Sequence, residues 1–202
     1  MRRTQGALSR LAELMRRVNP STDTEVIPEE IAHGISMNVA VAYAEWMEHK
    51  VNFIDTPGYL DFAGETQAGI RVADGALVVI SGPAGVEVGT ERAWDFVAER
   101  HLPSVVFVSM MDRANVDFER IFQDVKEHLT PAVIPVEVPI GSGESFRGII
   151  NLFTERAYLF KAGSAGDQYE EADVPEEYRE IEQRYYRELI ETIAATDDNL
   201  LE

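Results

Sequence analysis

Two short, continuous apolar runs, Ala76-Leu77-Val78-Val79-Ile80 and Val105-Val106-Phe107-Val108, constrain this chain more than any other feature. Neither alternates apolar with polar residues. A strand with one wet face would alternate, so these runs predict strands covered on both faces, as in a parallel sheet flanked by helices. Parallel strands need a crossover between them. The intervening sequence offers one, with Trp94, Val97, Ala98 and His101 on one face of a helix. After the second run, Phe118, Ile121, Phe122, Val125 and Leu129 recur at helical spacing, and residues 133–138 form a further β run. The order strand, helix, strand, helix, strand predicts a doubly wound α/β fold.

Upstream, apolar and small residues alternate over 37–45: Met37, Val39, Val41 and Tyr43 take one face and Ala40, Ala42 and Ala44 the other. That predicts a strand. Glu48-His49-Lys50 connects it to a second, Val51-Asn52-Phe53-Ile54, and the pair reads as an antiparallel hairpin. Residues 19–30 are polar, carry two prolines and read as a loop. Residues 1–18 hold five Arg and one Glu, with Leu8, Leu11, Leu14 and Met15 spaced for a short amphipathic helix. From Pro139 the character changes. Gly141-Ser142-Gly143 is a turn, residues 146–160 have room for two short strands, and residues 163–175 are rich in glycine and acid. A helix with Ile181, Tyr185, Leu189 and Ile193 one turn apart follows. The division is therefore expected at 1–138 and 139–202. Ten acids and three bases lie between Asp167 and Glu191, the pattern of a solvated acidic helix face.

Charge and composition exclude several functions. The 202 residues are 45% hydrophobic, enough for a core, and the net charge is −18. So acidic a surface does not grip DNA or RNA non-specifically, and no sequence-specific DNA partner is expected; docking on a ribonucleoprotein through a local patch stays open. The absence of cysteine removes disulfides, zinc-thiolate sites and a cysteine nucleophile. No apolar run approaches the roughly 20 residues that span a bilayer, and no apolar signal core follows Met1. A soluble cytoplasmic protein with no membrane partner is expected.

The sharpest chemical feature is Asp55-Thr56-Pro57-Gly58, placed where the second hairpin strand ends. Ligands of open α/β sheets gather at the carboxyl ends of strands. A carboxylate there can hold Mg²⁺ directly or through water, and a glycine lets a backbone N–H approach a phosphate oxygen. An ordinary turn has the same composition, so context must decide. The strand at 105–108 ends in Ser109-Met110-Met111-Asp112-Arg113, and Gly34-Ile35-Ser36 opens the hairpin. The three segments have the order and approximate spacing of the second, third and fourth guanine-nucleotide motifs of a GTPase.

From Pro28 onward the chain resembles the G domain of translation elongation factor G, more narrowly its divergent elongation factor G-like subgroup. The resemblance is carried by residues 51–62, by Gly75-Ala76-Leu77-Val78-Val79, Met111-Asp112-Arg113 and Pro139-Ile140-Gly141, by residues 146–152, and by Ala195-Thr196-Asp197-Asp198. Residues 146–152 and the acidic helix resemble the family's G′ insertion. The resemblance implies a P-loop GTPase-type fold with a small α+β G′ subdomain, Mg²⁺ and GTP or GDP as ligands, and the ribosome as partner of the intact parent. It implies Ser36 and Asp55 at the Mg²⁺, Gly58 donating its N–H to the γ-phosphate, Tyr59 at the water-positioning site, and Ser109, Met110 and Asp112 around guanine.

The departures bear on activity. No Gly-x-x-x-x-Gly-Lys-[Ser/Thr] run occurs, so the first strand and phosphate loop are expected to be missing, as is the last strand of the family's domain; the chain is expected to be an internal piece that is inactive alone. The guanine motif Asn-Lys-x-Asp reads Ser109-Met110-Met111-Asp112, which keeps the carboxylate that accepts from guanine N1–H and the exocyclic amine. Where the family has a water-orienting histidine this chain has Tyr59, whose phenol can hydrogen-bond a water but is a poor base. Switch I keeps a hydroxyl, Ser36, and has His33 where the family has arginine. The alternative reading is a non-enzymatic G-domain remnant that binds a ribosomal or other protein, its acidic G′ helix meeting a basic ribosomal protein. A third class, another α/β nucleotide-binding protein, requires Asp112 to lie away from the site. His33, His49, His101 and His128 are too dispersed for a metal cluster, Glu29-Glu30 belong to the switch I loop, and Trp46 and Trp94 read as packing residues.

Overall fold

The computed structural model describes residues 28–46, 48–161 and 169–195. The amphipathic segment expected over 1–18 and the closing residues 196–198 lie outside them. By packing the chain divides into two compact units, residues 1–110 and 111–202.

In the first unit a short helix, α1 (Pro28–His33), stands where the sequence suggests a loop. Proline is tolerated at its first position because the N–H it lacks would have no intrahelical partner. The hairpin forms as expected from β1 (Ala40–Trp46) and β2 (His49–Asp55), antiparallel, with Ala40 opposite Asp55 and Trp46 opposite His49. The connector is tighter than the sequence suggests: His49 and Lys50 are already in the ladder, and Glu48 takes the left-handed φ of 64°. The alanine face is the inner one, Ala42 being buried while Val41 and Tyr43 are exposed. Lys50 Nζ lies 4.4 Å from the Tyr43 ring centroid, so the outer face is partly screened by a cation.

After the loop at residues 56–59 a 3₁₀ turn (Leu60–Phe62) leads into α2 (Ala63–Ile70). The expected parallel pair follows: β3 (Ala76–Ser81) and β4 (Ser104–Ser109), in register from Ala76–Ser104 to Ser81–Ser109, joined through α3 (Val88–Glu99). The helix buries Phe96 and Val97 beside Ile70, with Trp94 packed against them; His101 lies past its end at φ 51°. Burial on both strand faces is not observed. Val78 and Ile80 are buried, whereas Leu77, Val105 and Phe107, which share the other face, are exposed. The reason is that a crossover helix covers only the face it packs on, and an apolar run does not by itself bring a second layer.

The second unit contains α4 (Phe118–His128), capped by Asp117, whose carboxylate accepts from the Arg120 N–H at 3.0 Å. A four-stranded antiparallel meander follows: β5 (Glu137–Ile140), β6 (Gly148–Asn151), β7 (Arg156–Phe160) and β8 (Tyr169–Asp173), in that spatial order. The β run expected over 133–138 is shifted and belongs here rather than beside the parallel pair. Pro135 lacks a ladder donor, and Pro139 confines the strand to a sheet edge, which β5 is. β6 and β7 are the two strands expected over 146–160. β8 forms within the stretch that the sequence shows as rich in acid and glycine, held in part by Arg156, which pairs with Glu171 and Asp173. The closing helix α5 (Arg179–Ala194) packs Tyr185 and Leu189 into one core with Phe122, Val138, Ile140, Ile150 and Leu152.

Candidate functional site

The hairpin ends at the Ala40–Asp55 pair, and both candidate cation ligands lie at that end: Asp55 closes β2, and Ser36 belongs to the segment that enters β1. That segment is held by carboxylates. Glu30 on α1 is 3% exposed, and its Oε1 accepts from the N–H groups of Met37 at 2.8 Å and Asn38 at 3.0 Å. Glu65 Oε2 on α2 accepts from the Val39 N–H at 3.2 Å. The turn before them is closed by the Gly34 N–H donating to the Glu30 carbonyl at 2.7 Å, with Gly34 at φ 65°, a region glycine occupies without strain. Three consecutive backbone donors that would otherwise need water are thus fixed by two side chains, and Ser36 stands beside them.

The Asp55–Gly58 loop is bounded from below by α2. The buried Thr66 hydroxyl donates to the Pro57 carbonyl at 2.7 Å. Gly69 admits the loop closely: a Cβ there would stand 2.7 Å from Thr56 Cγ2 and 3.1 Å from Ile54 Cγ2. Gly89, in the first turn of α3, would place a Cβ 3.0 Å from the Gly58 carbonyl oxygen. Gly58 itself is exposed, and nothing lies within 4 Å of where its own Cβ would be. Tyr59 follows in extended conformation, φ −81° and ψ 137°, with its carbonyl accepting from the Phe62 N–H at 3.0 Å and its side chain 58% exposed.

At the end of β4, Ser109 is engaged rather than free. Its Oγ donates to the Ile80 carbonyl at 3.0 Å, and its carbonyl accepts from the Gly82 N–H at 2.8 Å. Met110 takes φ 58°, a left-handed conformation that costs a residue with a Cβ about 1–2 kcal/mol. Such strain persists only where surrounding structure imposes it. The first unit ends here. In the second, Met111 is buried and its carbonyl accepts from the Gly143 N–H at 3.0 Å, while Asp112 is exposed.

The donor set suits a hard cation. Ser36 and Asp55 supply a hydroxyl and a carboxylate and no soft ligand, which fits Mg²⁺, an ion that completes its shell with water and phosphate. Among the described residues no group of three or more His, Cys, Asp or Glu is placed to hold a metal by itself. The supporting residues Glu30, Glu65, Thr66, Gly69 and Gly89 escape a motif reading, because the first three bond backbone groups, and the two glycines leave room for neighbouring atoms, from other parts of the chain.

A family model described as the elongation factor Tu GTP binding domain matches residues 4–199. The chain belongs to this GTP-binding domain family. It is 40% identical over 174 residues to elongation factor G 1 of Bdellovibrio bacteriovorus, covering 86% of this chain and 25% of that protein. It is 34% identical over 182 residues to elongation factor G of Granulibacter bethesdensis, covering 90% of this chain and 26% of that one. A crystal structure of a Thermus thermophilus protein superposes with a TM-score of 0.81 at 36% identity, over 93% of this chain and 27% of that one. The fold is therefore the α/β fold of a GTP-binding domain. The chain spans about a quarter of the length of the relatives it matches. Among the described residues no helix is long and apolar enough to cross a membrane.

Proposed function

We propose that this chain is most of the guanine-nucleotide domain of a cytoplasmic elongation factor G-like GTPase, with residues 1–138 forming part of the G domain and 139–202 part of the G′ subdomain. The full-length protein would couple GTP binding and hydrolysis to ribosomal translocation or a related step on the ribosome. The observation that carries this reading is Gly58. It stands at the carboxyl end of β2, exposed, with open space where a side chain would be. Packing within the chain does not require glycine there, whereas a phosphate oxygen approaching the backbone does.

In this reading Gly58 donates its N–H to the γ-phosphate. Ser36 and Asp55 would hold Mg²⁺, which when bound would neutralise charge on the phosphates. The Tyr59 hydroxyl hydrogen-bonds the attacking water, a positioning role for which a phenol is less suited than imidazole because it cannot become a cation. Asp112 accepts from the two guanine donors that adenine does not present, and Met110 packs on the ring, its left-handed backbone turning the chain out of β4. Ser109, its proton committed to Ile80, contributes by holding the strand end. The acidic helix α5, on which Glu180 and Glu191 are exposed, is the surface for a basic ribosomal protein.

The test is Asp112→Asn in the full-length protein. Its amide presents a donor to a guanine donor, so GTP affinity should fall by about tenfold or more and xanthine nucleotide affinity should rise, measured by fluorescent-nucleotide titration. A variant that binds GTP as its parent does would remove Asp112 from the base site.

A further inference from the structure

Thr66 lies outside every motif read from the sequence, yet its hydroxyl is buried and donates across nine positions to the Pro57 carbonyl at 2.7 Å. That carbonyl and the Gly58 N–H belong to one peptide group, which is planar and, among the described residues, trans like all the others. In a trans peptide the C=O and N–H point in opposite directions. A hydroxyl fixing the carbonyl from the buried side therefore aims the N–H outward, toward solvent. No acceptor among the described residues takes that N–H. The next peptide is bounded too, because its carbonyl, that of Gly58, sits against Gly89, where a Cβ would come within 3.0 Å. A hydrogen bond to a carbonyl also polarises the amide it belongs to and makes its N–H a better donor.

We propose that Thr66 is a positioning residue that presets the direction of the Gly58 N–H through the Pro57–Gly58 peptide plane, with Gly89 leaving room for the adjoining carbonyl. The consequence for nucleotide selection rests on the reading of Gly58 as the γ-phosphate donor. A donor held in place before the ligand arrives favours the triphosphate over the diphosphate without an ordering cost at binding. The orientation itself does not depend on that reading.

The experiment is backbone amide relaxation by NMR on the 202-residue chain and its Thr66→Val and Thr66→Ser forms. Valine keeps the shape and removes the donor; serine keeps the donor and removes a methyl. The Gly58 N–H order parameter is expected near the rigid value of about 0.85 in the parent and the serine form, and below about 0.6 in the valine form. Equal values in the valine and serine forms overturn the proposal, as does a parent value in the flexible range. If the valine form does not fold, Thr66→Ala against Thr66→Ser gives the same comparison. In the full-length protein the ratio of GTP to GDP affinity should fall about tenfold with valine and recover with serine. A lowered order parameter with an unchanged ratio keeps the positioning role and removes Gly58 from the γ-phosphate.

Discussion

Two glycines in the same short helix should respond to alanine in opposite directions. Gly64 and Gly69 both belong to α2 (Ala63–Ile70). Replacing glycine by alanine within a helix stabilises by about 0.5–1 kcal/mol through the backbone alone. At Gly64 nothing lies within 4 Å of the new Cβ, so that gain should appear undiminished. At Gly69 the new Cβ would sit 2.7 Å from Thr56 Cγ2, 3.1 Å from Ile54 Cγ2 and 3.8 Å from Val39 Cγ2. The two closest atoms belong to β-branched side chains, which are stiff at χ1 and cannot rotate away cheaply. Overpacking of this kind costs about 1–3 kcal/mol. After the helix gain, Gly69→Ala should be destabilising by about 1–2 kcal/mol, and the two variants should differ by about 2 kcal/mol. At about 4–8 °C per kcal/mol for a unit of this size, thermal unfolding should separate them by roughly 10 °C. Thr56→Ser removes the nearest methyl, so Gly69→Ala should cost less in that background, a coupling a double-mutant cycle would read. If Gly69→Ala proved neutral or stabilising, the close approach of β2 and its loop to α2 would be wrong, and with it the support under the Asp55–Gly58 segment.

Tyr59→His in the full-length protein should raise single-turnover GTP hydrolysis on the ribosome, by on the order of 10²-fold, while nucleotide affinity stays within about threefold; equal rates with intact binding would refute a water-positioning role for Tyr59. Glu182 gives a pH dependence. Burial pushes its carboxyl above the ordinary 4.5, with Glu155 adding to the rise and Arg179 opposing it. A raised carboxyl contributes stability while protonated, and that contribution is lost as pH rises through its folded-state value. Glu182→Gln should therefore unfold at a higher temperature than the parent at pH 7 and show less loss of stability between about pH 4.5 and 7; parallel curves for the two proteins would disprove the assignment.

Much of the fold is legible in the sequence because it depends on local period. The five apolar positions from Phe118 to Leu129 and the four from Ile181 to Ile193 mark both helices, and the spacing selects the buried Ile121, Phe122, Val125, Tyr185 and Leu189; it does not select Glu182, which is buried as well, and it does select Ile193, which is exposed. The first hairpin strand was legible from its alternation, and the parallel pair from two continuous apolar runs of strand length. β8 was not, since Tyr169-Glu170-Glu171-Ala172-Asp173 has no strand period. It is a strand because β7 offers an open edge and Arg156 meets two of its acids. The exposure of Leu77, Val105 and Phe107 was equally hidden, because an apolar residue carries no record of whether a second layer covers it.

The candidate site divides in the same way. Sequence alone determined that an Asp-x-x-Gly segment begins where one strand ends, that the carboxylate of Asp112 comes three residues after the last residue of another, and that a tyrosine stands after Gly58. These are properties of residue order, and chain connectivity is enough to place them at strand ends. Tertiary structure alone decided that Glu30 reaches forward to the N–H groups of Met37 and Asn38, that Ser109 spends its proton on Ile80, and that Thr66 holds the Pro57 carbonyl. Each of these is a hydrogen bond between a side chain and a backbone group brought near only by folding. Its energy depends on a donor–acceptor distance near 3 Å and on exclusion of competing water. Neither quantity is a function of sequence spacing, so the groups that orient the site stay hidden in the sequence even where the groups that compose it are plain.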